Sequence, residues 1–186
     1  MSDDILIELR TPKRALVMEL ETFAMPLRRI LFEAARDALS EQGITFDEPA
    51  MIRHGLHATP RKIASALAAA YMLKPAVENA LAERIEAAAQ RFFTSAAAVP
   101  LLGLDRVLNL GLEQNAAIGF VSWQAEPAAA ALLERTGLSR WSPALFCAAA
   151  ASQEFPGADI WLRLLKMMGR RPQDGVALVN SHVACR

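Results

Sequence analysis

Apolar and polar positions along the 186-residue chain follow two different periods, and the switches between them mark its organisation. Ala15–Leu20 (ALVMEL) is a short, almost continuously apolar run preceded by Pro12, Lys13 and Arg14. Its length and flanks predict a parallel strand buried on both faces. Leu27–Glu41 repeats at helical spacing instead. Leu27, Ile30, Leu31, Ala34, Ala35, Ala38 and Leu39 share one face, Arg28, Arg29, Glu33, Arg36 and Asp37 the other, and Gly43 stops the helix. Pro49–His54 predicts a short helix ended by Gly55. Thr59-Pro60 supplies an N-cap and a first-turn proline for a helix to about Met72, and Pro75 opens a long alanine-rich helix to Phe93.

After this purely helical stretch the strand signal returns. Pro100–Gly103 reads as a loop, Leu104–Asn115 as a helix and Ala117–Ser122 (AIGFVS) as a second buried strand. Glu126–Arg135 is a helix stopped by Gly137, and Ala144–Ala149 (ALFCAA) a third strand whose alanines leave helix open. Asp159–Met168 is a helix closed by Gly169, and Val176–Val179 a fourth strand. Strand alternating with helix predicts the α/β class, a doubly wound parallel sheet with an all-helical insertion after strand one. The expected division is a discontinuous core, residues 1–25 and 97–186, and an inserted helical cap, 26–96. Ligands in such sheets bind beyond the carboxyl ends of the strands, near the switch in strand order. The windows of interest are therefore Glu19–Phe23, Ser122–Gln124, Ala148–Pro156 and Asn180–His182.

Composition narrows the class. Hydrophobic residues make up 53% of the chain, enough for a core, although much of this is alanine, which stabilises little on burial. Lys+Arg and Asp+Glu both number 20, so net charge points to neither nucleic acid nor an anionic membrane surface. No apolar run approaches the roughly 20 residues that cross a bilayer. The opening MSDDILIELR lacks the basic start and apolar core of a leader. Cys147 and Cys185 form no disulfide framework and no zinc-type spacing, and read as buried or incidental thiols. A cytoplasmic location is the expectation.

Four short segments carry a resemblance to a known family. Val17-Met18-Glu19-Leu20-Glu21-Thr22-Phe23 matches an apolar strand running into Asp-x-Asp-Gly-Thr. Gly119-Phe120-Val121-Ser122 matches a strand ending in Ser or Thr, and Glu126–Gly137 the helix that follows it. Phe155-Pro156-Gly157-Ala158-Asp159-Ile160-Trp161 keeps the frame of a lysine before Pro-x-x-Asp-Ile-Phe, and Leu178-Val179-Asn180-Ser181-His182 that of a strand followed by acidic residues. In this order, over roughly residues 14–186, the chain resembles the haloacid dehalogenase (HAD) superfamily, in its subgroup with a helical cap after the first strand.

The resemblance implies roles that the residues do not keep. In the family the first aspartate is the nucleophile, the second the acid/base, the hydroxyl and lysine hold the anion, and the last acidic group binds magnesium. Here the aspartates are Glu19 and Glu21, one methylene longer, and an ångström of misplacement can cost about 100-fold in rate. Phe155 stands at the lysine, Asn180 and Ser181 at the magnesium ligand, Thr22 at the glycine and Phe23 at the small hydroxyl residue. The reading expects no cofactor, since the family's magnesium ligands are not retained, and no cation beside Glu19 and Glu21. Two such carboxylates repel, which raises the pKa of at least one.

His54, His57, Arg53, Arg61 and Lys62 gather around Gly55, where the resemblance puts a substrate-selecting loop. They read either as an anion-binding lip or as a solvated turn. Ser122 lacks a His/Asp partner and a Gly-x-Ser-x-Gly elbow, so it is a strand-end donor rather than a nucleophile. Trp123 lines a pocket or simply packs; Trp141, Trp161, Phe92 and Phe93 read as core aromatics, and Arg170-Arg171 as dipole-compensating cations at a helix end. Two functions remain open. One is a HAD-like pseudoenzyme, a binding, scaffold or regulatory protein whose cleft is lined by Glu19, Glu21, Ser122, Phe155, Asn180 and Ser181. Its partner would be a small molecule or protein, or a second copy shielding the early-ending sheet edge. The other is a hydrolase, phosphatase or dehalogenase-like, that has repurposed the site around Glu19.

Overall fold

The computed structural model describes residues 14–57, 59–141, 143–147 and 157–179. Four strands, β1 (Arg14–Glu19), β2 (Ala116–Ser122), β3 (Ala144–Cys147) and β4 (Gly175–Leu178), form one sheet in the order β3-β2-β1-β4. Every pairing is parallel, with Glu19 opposite Val121, Leu16 opposite Val176 and Ser122 opposite Cys147. The chain steps outward from β1 to β3 and then returns to the other side of β1. The switch point thus lies at β1, whose tip is Glu19. This is the doubly wound parallel sheet that the alternation predicts. The ambiguous ALFCAA segment resolves to strand over Ala144–Cys147; its last two residues lie outside the described residues.

Both faces of β1 and β2 are covered, which is why these two strands read as unbroken apolar runs, whereas β4 is largely exposed. On one face Ala15, Val17, Val121 and Phe146 pack against Ile160, Leu164 and Leu165 of α6 (Ala158–Met167). Gly119 permits this approach, because a Cβ there would meet the Met168 sulfur at 2.8 Å. On the other face Met18, Ile118 and Phe120 join a larger cluster that runs on into the helices after β1.

Those helices are α1 (Leu27–Ser40), α2 (Pro60–Tyr71), α3 (Pro75–Thr94) and α4 (Leu104–Glu113), and the described residues between β1 and β2 contain no strand. Leu27, Leu31, Ala35 and Leu39 recur at four-residue spacing and bury a stripe of α1 against α3. Ile63, Ala64, Leu67 and Ala68 do the same for α2, and Leu81, Ile85, Ala89, Phe92 and Phe93 for α3. The Thr59 side chain accepts from the Lys62 amide at 3.3 Å with Pro60 in the first turn, the cap that the sequence predicts. Met72, in the left-handed region at φ 52°, ends that helix. The expected Pro49–His54 helix is a short turn at Glu48–Ala50, capped by Asp47, that opens into a wider π-helical turn over Met51–Gly55. After α4 the chain crosses β2, α5 (Glu126–Arg135) and β3. The Leu101 amide donates to the Ala24 carbonyl at 2.9 Å, so the segment leaving the helical stretch is tied to the segment entering it. No helix among the described residues is long and apolar enough to cross a membrane.

Candidate functional site

β1 stops at Glu19, one residue earlier than expected, and Leu20–Ala24 continue as a π-helical turn in which Leu20, Glu21, Thr22 and Ala24 are buried. This wide turn returns the side chains after β1 to the strand tips. The Thr22 hydroxyl donates to Glu19 Oε2. Glu21 crosses to the tip of β2, where Ser122 Oγ donates to its Oε1 and Gln124 Nε2 adds a second donor at 3.2 Å. Ser122 also accepts from the Gln124 amide at 3.0 Å. Glu19 and Glu21 are each 1% exposed.

Burial dominates the electrostatics. It pushes the Glu21 carboxyl from 4.5 up to about 7, although the bonds from Ser122 and Gln124 pull it down. A raised carboxyl is what the sequence predicts, but desolvation is the leading cause, ahead of any repulsion from Glu19. Glu21 Oε2 has no hydrogen-bond partner among the described residues, which is tolerable for a neutral carboxylic acid and costly for a carboxylate. The Cys147 thiol, beside Ser122, is pushed up to about 11 by burial and then by Glu21. It is an inert buried thiol, as expected; Cys185 lies outside the described residues.

The expectation that these carboxylates have no cation nearby is incorrect. Arg28, the second residue of α1, interacts electrostatically with Glu19. Burial lowers its guanidinium to about 10, and Glu19 opposes that fall. Its Nη1 donates to the His57 carbonyl at 2.8 Å. Helical periodicity places Arg28 correctly on the polar face of α1, but in the first turn that face abuts the strand tips instead of water.

Other predicted residues separate. His57 contributes its backbone carbonyl to Arg28, and His54 meets Tyr71 edge-on with ring centroids 6.5 Å apart. Arg53 is exposed and the Lys62 amide serves the Thr59 cap. Phe155, Asn180 and Ser181, with His182, lie outside the described residues. Phe23 is half-buried against the main core, Trp123 packs edge-on to Phe93 at 6.2 Å, and the Trp141 ring nitrogen donates to Asn109 at 2.8 Å.

A cleft of about 480 Å³ opens nearby. Thr59, Pro60 and Arg61 from the start of α2, Glu86, Ala89 and Gln90 from α3, and the 123–125 segment with Ala128 line it. Neither Glu19 nor Glu21 belongs to its wall. Gln124, 8% exposed, connects the two places, since it lines the cleft and donates to Glu21. Arg28 and Gln124 are the site residues that motif reading did not single out, and Thr22 figured there only as the replacement of a glycine. Thr22 and Gln124 sit in the strand-tip windows that topology marks, whereas Arg28 had no local signal.

The described donor set does not suit magnesium. Glu19 is engaged by a hydroxyl and lies in the field of the Arg28 charge, Glu21 is only about half ionised at pH 7, and no group of three or more His, Cys, Asp or Glu among the described residues converges for a metal. A hard dication prefers several ionised oxygens and would be repelled by Arg28.

No protein family model and no curated protein sequence matches the chain. Solved structures do. A conserved haloacid dehalogenase-like protein of unknown function from Agrobacterium tumefaciens aligns over 91% of this chain and 75% of its own, with TM-score 0.70 and 14% identity. This is the haloacid dehalogenase fold. A hydrolase from Pseudomonas syringae (TM-score 0.63, 14% identity, 88% of this chain and 74% of that one) shares the HAD fold. So does a β-phosphoglucomutase from Clostridium difficile (TM-score 0.58, 17% identity, 88% and 74%). At such identities the likeness establishes the HAD architecture and leaves the chemistry to the residues.

Ser122→Ala tests the strand-tip network. It removes a donor from Glu21 and leaves the Gln124 amide without its acceptor. The expected loss is about 1–3 kcal/mol in denaturant unfolding, with the Glu21 titration moving further upward because the bond from Ser122 lowers it. A variant as stable as the parent contradicts this network.

Proposed function

We propose that this chain is a non-catalytic HAD-fold protein, a binding or regulatory module without metal-dependent phosphatase activity. The observation that carries the reading is the burial of Glu19 and Glu21, 1% exposed each, with internal partners on both. A nucleophile must reach its substrate within about 3–3.5 Å. Here the Thr22 hydroxyl donates to Glu19, and the Arg28 charge acts on it from α1. The helical stretch, 26–96, serves as a cap in this reading, and the cleft between it and the 123–125 segment accepts the ligand. Trp123 offers an apolar wall, and Arg61, Gln90 and Glu86 offer polar contacts, which suits a small organic molecule with a polar end. We place the protein in the cytoplasm.

The second reading, a hydrolase with a repurposed site, draws on one feature. Glu21, raised to about 7, titrates near neutrality close to Glu19 and the Arg28 charge, and a group poised there serves acid–base chemistry. Phosphate release from a panel of phosphomonoesters with magnesium decides between them, comparing the parent with Glu19→Asp and Glu19→Ala. The non-catalytic reading expects background rates from the parent, with activity, if any, appearing in Glu19→Asp. Turnover by the parent that Glu19→Ala abolishes establishes the hydrolase.

A further inference from the structure

We infer that two copies of this chain associate through α4 across a two-fold axis, with Leu110 at the centre of the contact. α4 buries Leu104 and Leu108 against the sheet and rests Gly111 over Leu16, where an added Cβ would lie 3.3 Å from a Leu16 methyl. Its outward side is also apolar. Leu110 is 58% exposed and Val107 is exposed beside it. Val176 extends the same surface. It pairs with Leu16 in the parallel register, so it stands on the sheet face that α4 covers, one strand further out, and is 59% exposed. β4 is an edge strand among the described residues, and its sequence Gly-Val-Ala-Leu carries no charge or proline of the kind that keeps an edge solitary. Single exposed apolar residues are ordinary, but several on one side of a helix, next to an edge strand of the described sheet, suit an interaction surface.

Charge placement indicates a second copy as the occupant. Arg106 and Glu113 are exposed, flank Leu110 on its own face of the helix, and make no ion pair among the described residues. Their placement opposes the helix dipole, with the cation in the first turn and the anion in the last, where each is mildly unfavourable. In an antiparallel pairing centred near Leu110, Arg106 of one copy meets Glu113 of the other, and the two-fold repeats the contact. The apolar row then closes between two symmetric ion pairs. A different partner would need no such self-complementary order.

Sedimentation velocity on the full chain tests this. The parent is expected to show a monomer–dimer equilibrium with Kd on the order of 10 µM, the range of a small interface. Leu110→Arg should abolish it while leaving the melting temperature measured well below that Kd unchanged, since in the monomer that side chain projects into solvent. Arg106→Glu and Glu113→Arg should each weaken association by about tenfold through paired repulsion, and the double exchange should restore it. Each single exchange also puts its charge in favour of the helix dipole, so neither should lower stability. The two positions are seven apart in one chain, so restoration cannot arise within a monomer. A parent that stays monomeric to about 1 mM overturns the proposal. So does a dimer indifferent to Leu110→Arg, or one that the double exchange fails to restore.

Discussion

Arg28→Met is expected to lower the unfolding free energy by about 1–3 kcal/mol, the usual cost of removing a charged hydrogen-bond donor that also lies in the field of a buried carboxyl. Glu19 is 1% exposed and the Arg28 charge acts on it. Methionine keeps most of the aliphatic stem, so the loss reports charge and hydrogen bonding rather than packing. The Nη1 contact to the His57 carbonyl disappears as well, releasing the 55–57 segment from α1. Adding Glu19→Gln to Arg28→Met should recover a substantial part of the loss, because a neutral amide is cheaper to bury than a lone carboxylate. Urea unfolding of the two single variants and the double variant measures the coupling directly. A single-variant change below about 0.5 kcal/mol would contradict the pairing, since surface substitutions fall in that range.

Glu21→Gln has the opposite sign and depends on pH. The folded carboxyl titrates at about 7 and the unfolded one near 4.5, so the folded state binds the proton more tightly. Below about 4.5 both states are protonated and the group costs nothing. As pH rises from about 4.5 to about 7 the unfolded chain ionises first, and stability falls. Above about 7 the penalty is constant, roughly 3 kcal/mol for a rise of this size. Glutamine reproduces the neutral acid. Its carbonyl can accept from Ser122 and Gln124, and its amide replaces the oxygen that has no partner among the described residues. The variant should therefore match the parent near pH 4 and exceed it by roughly 3 kcal/mol near pH 8. The difference between the two stability–pH curves isolates this group from every other titration. Parallel curves would show that Glu21 is ionised in the folded state at neutral pH.

Elements set by local pattern were legible in the sequence. The strands β1 and β2 show as apolar runs because both their faces are covered, and Thr59-Pro60 and the α1 stripe show because capping and amphipathic spacing are local. Strand-end topology also directed attention to Glu19, Glu21, Ser122 and the positions beside them. What stayed hidden depends on distance in sequence. Arg28 looks like any residue on a solvated helix face until the fold places that first turn against β1. Gln124 looks like loop until the π-helical turn carries Glu21 across to it. The burial of the carboxylates was likewise unreadable, since the chain alone does not say whether a strand tip opens to water.

The single backbone bond between the Leu101 amide and the Ala24 carbonyl makes the helical stretch a closed loop, with its two necks clasped together where it leaves the sheet. Swinging away from the strand tips would break that clasp and draw Arg28, just beyond the neck, out of reach of Glu19. That backbone bond and the Arg28 charge near Glu19 thus tie the start of the helical stretch to the strand tips at two neighbouring places.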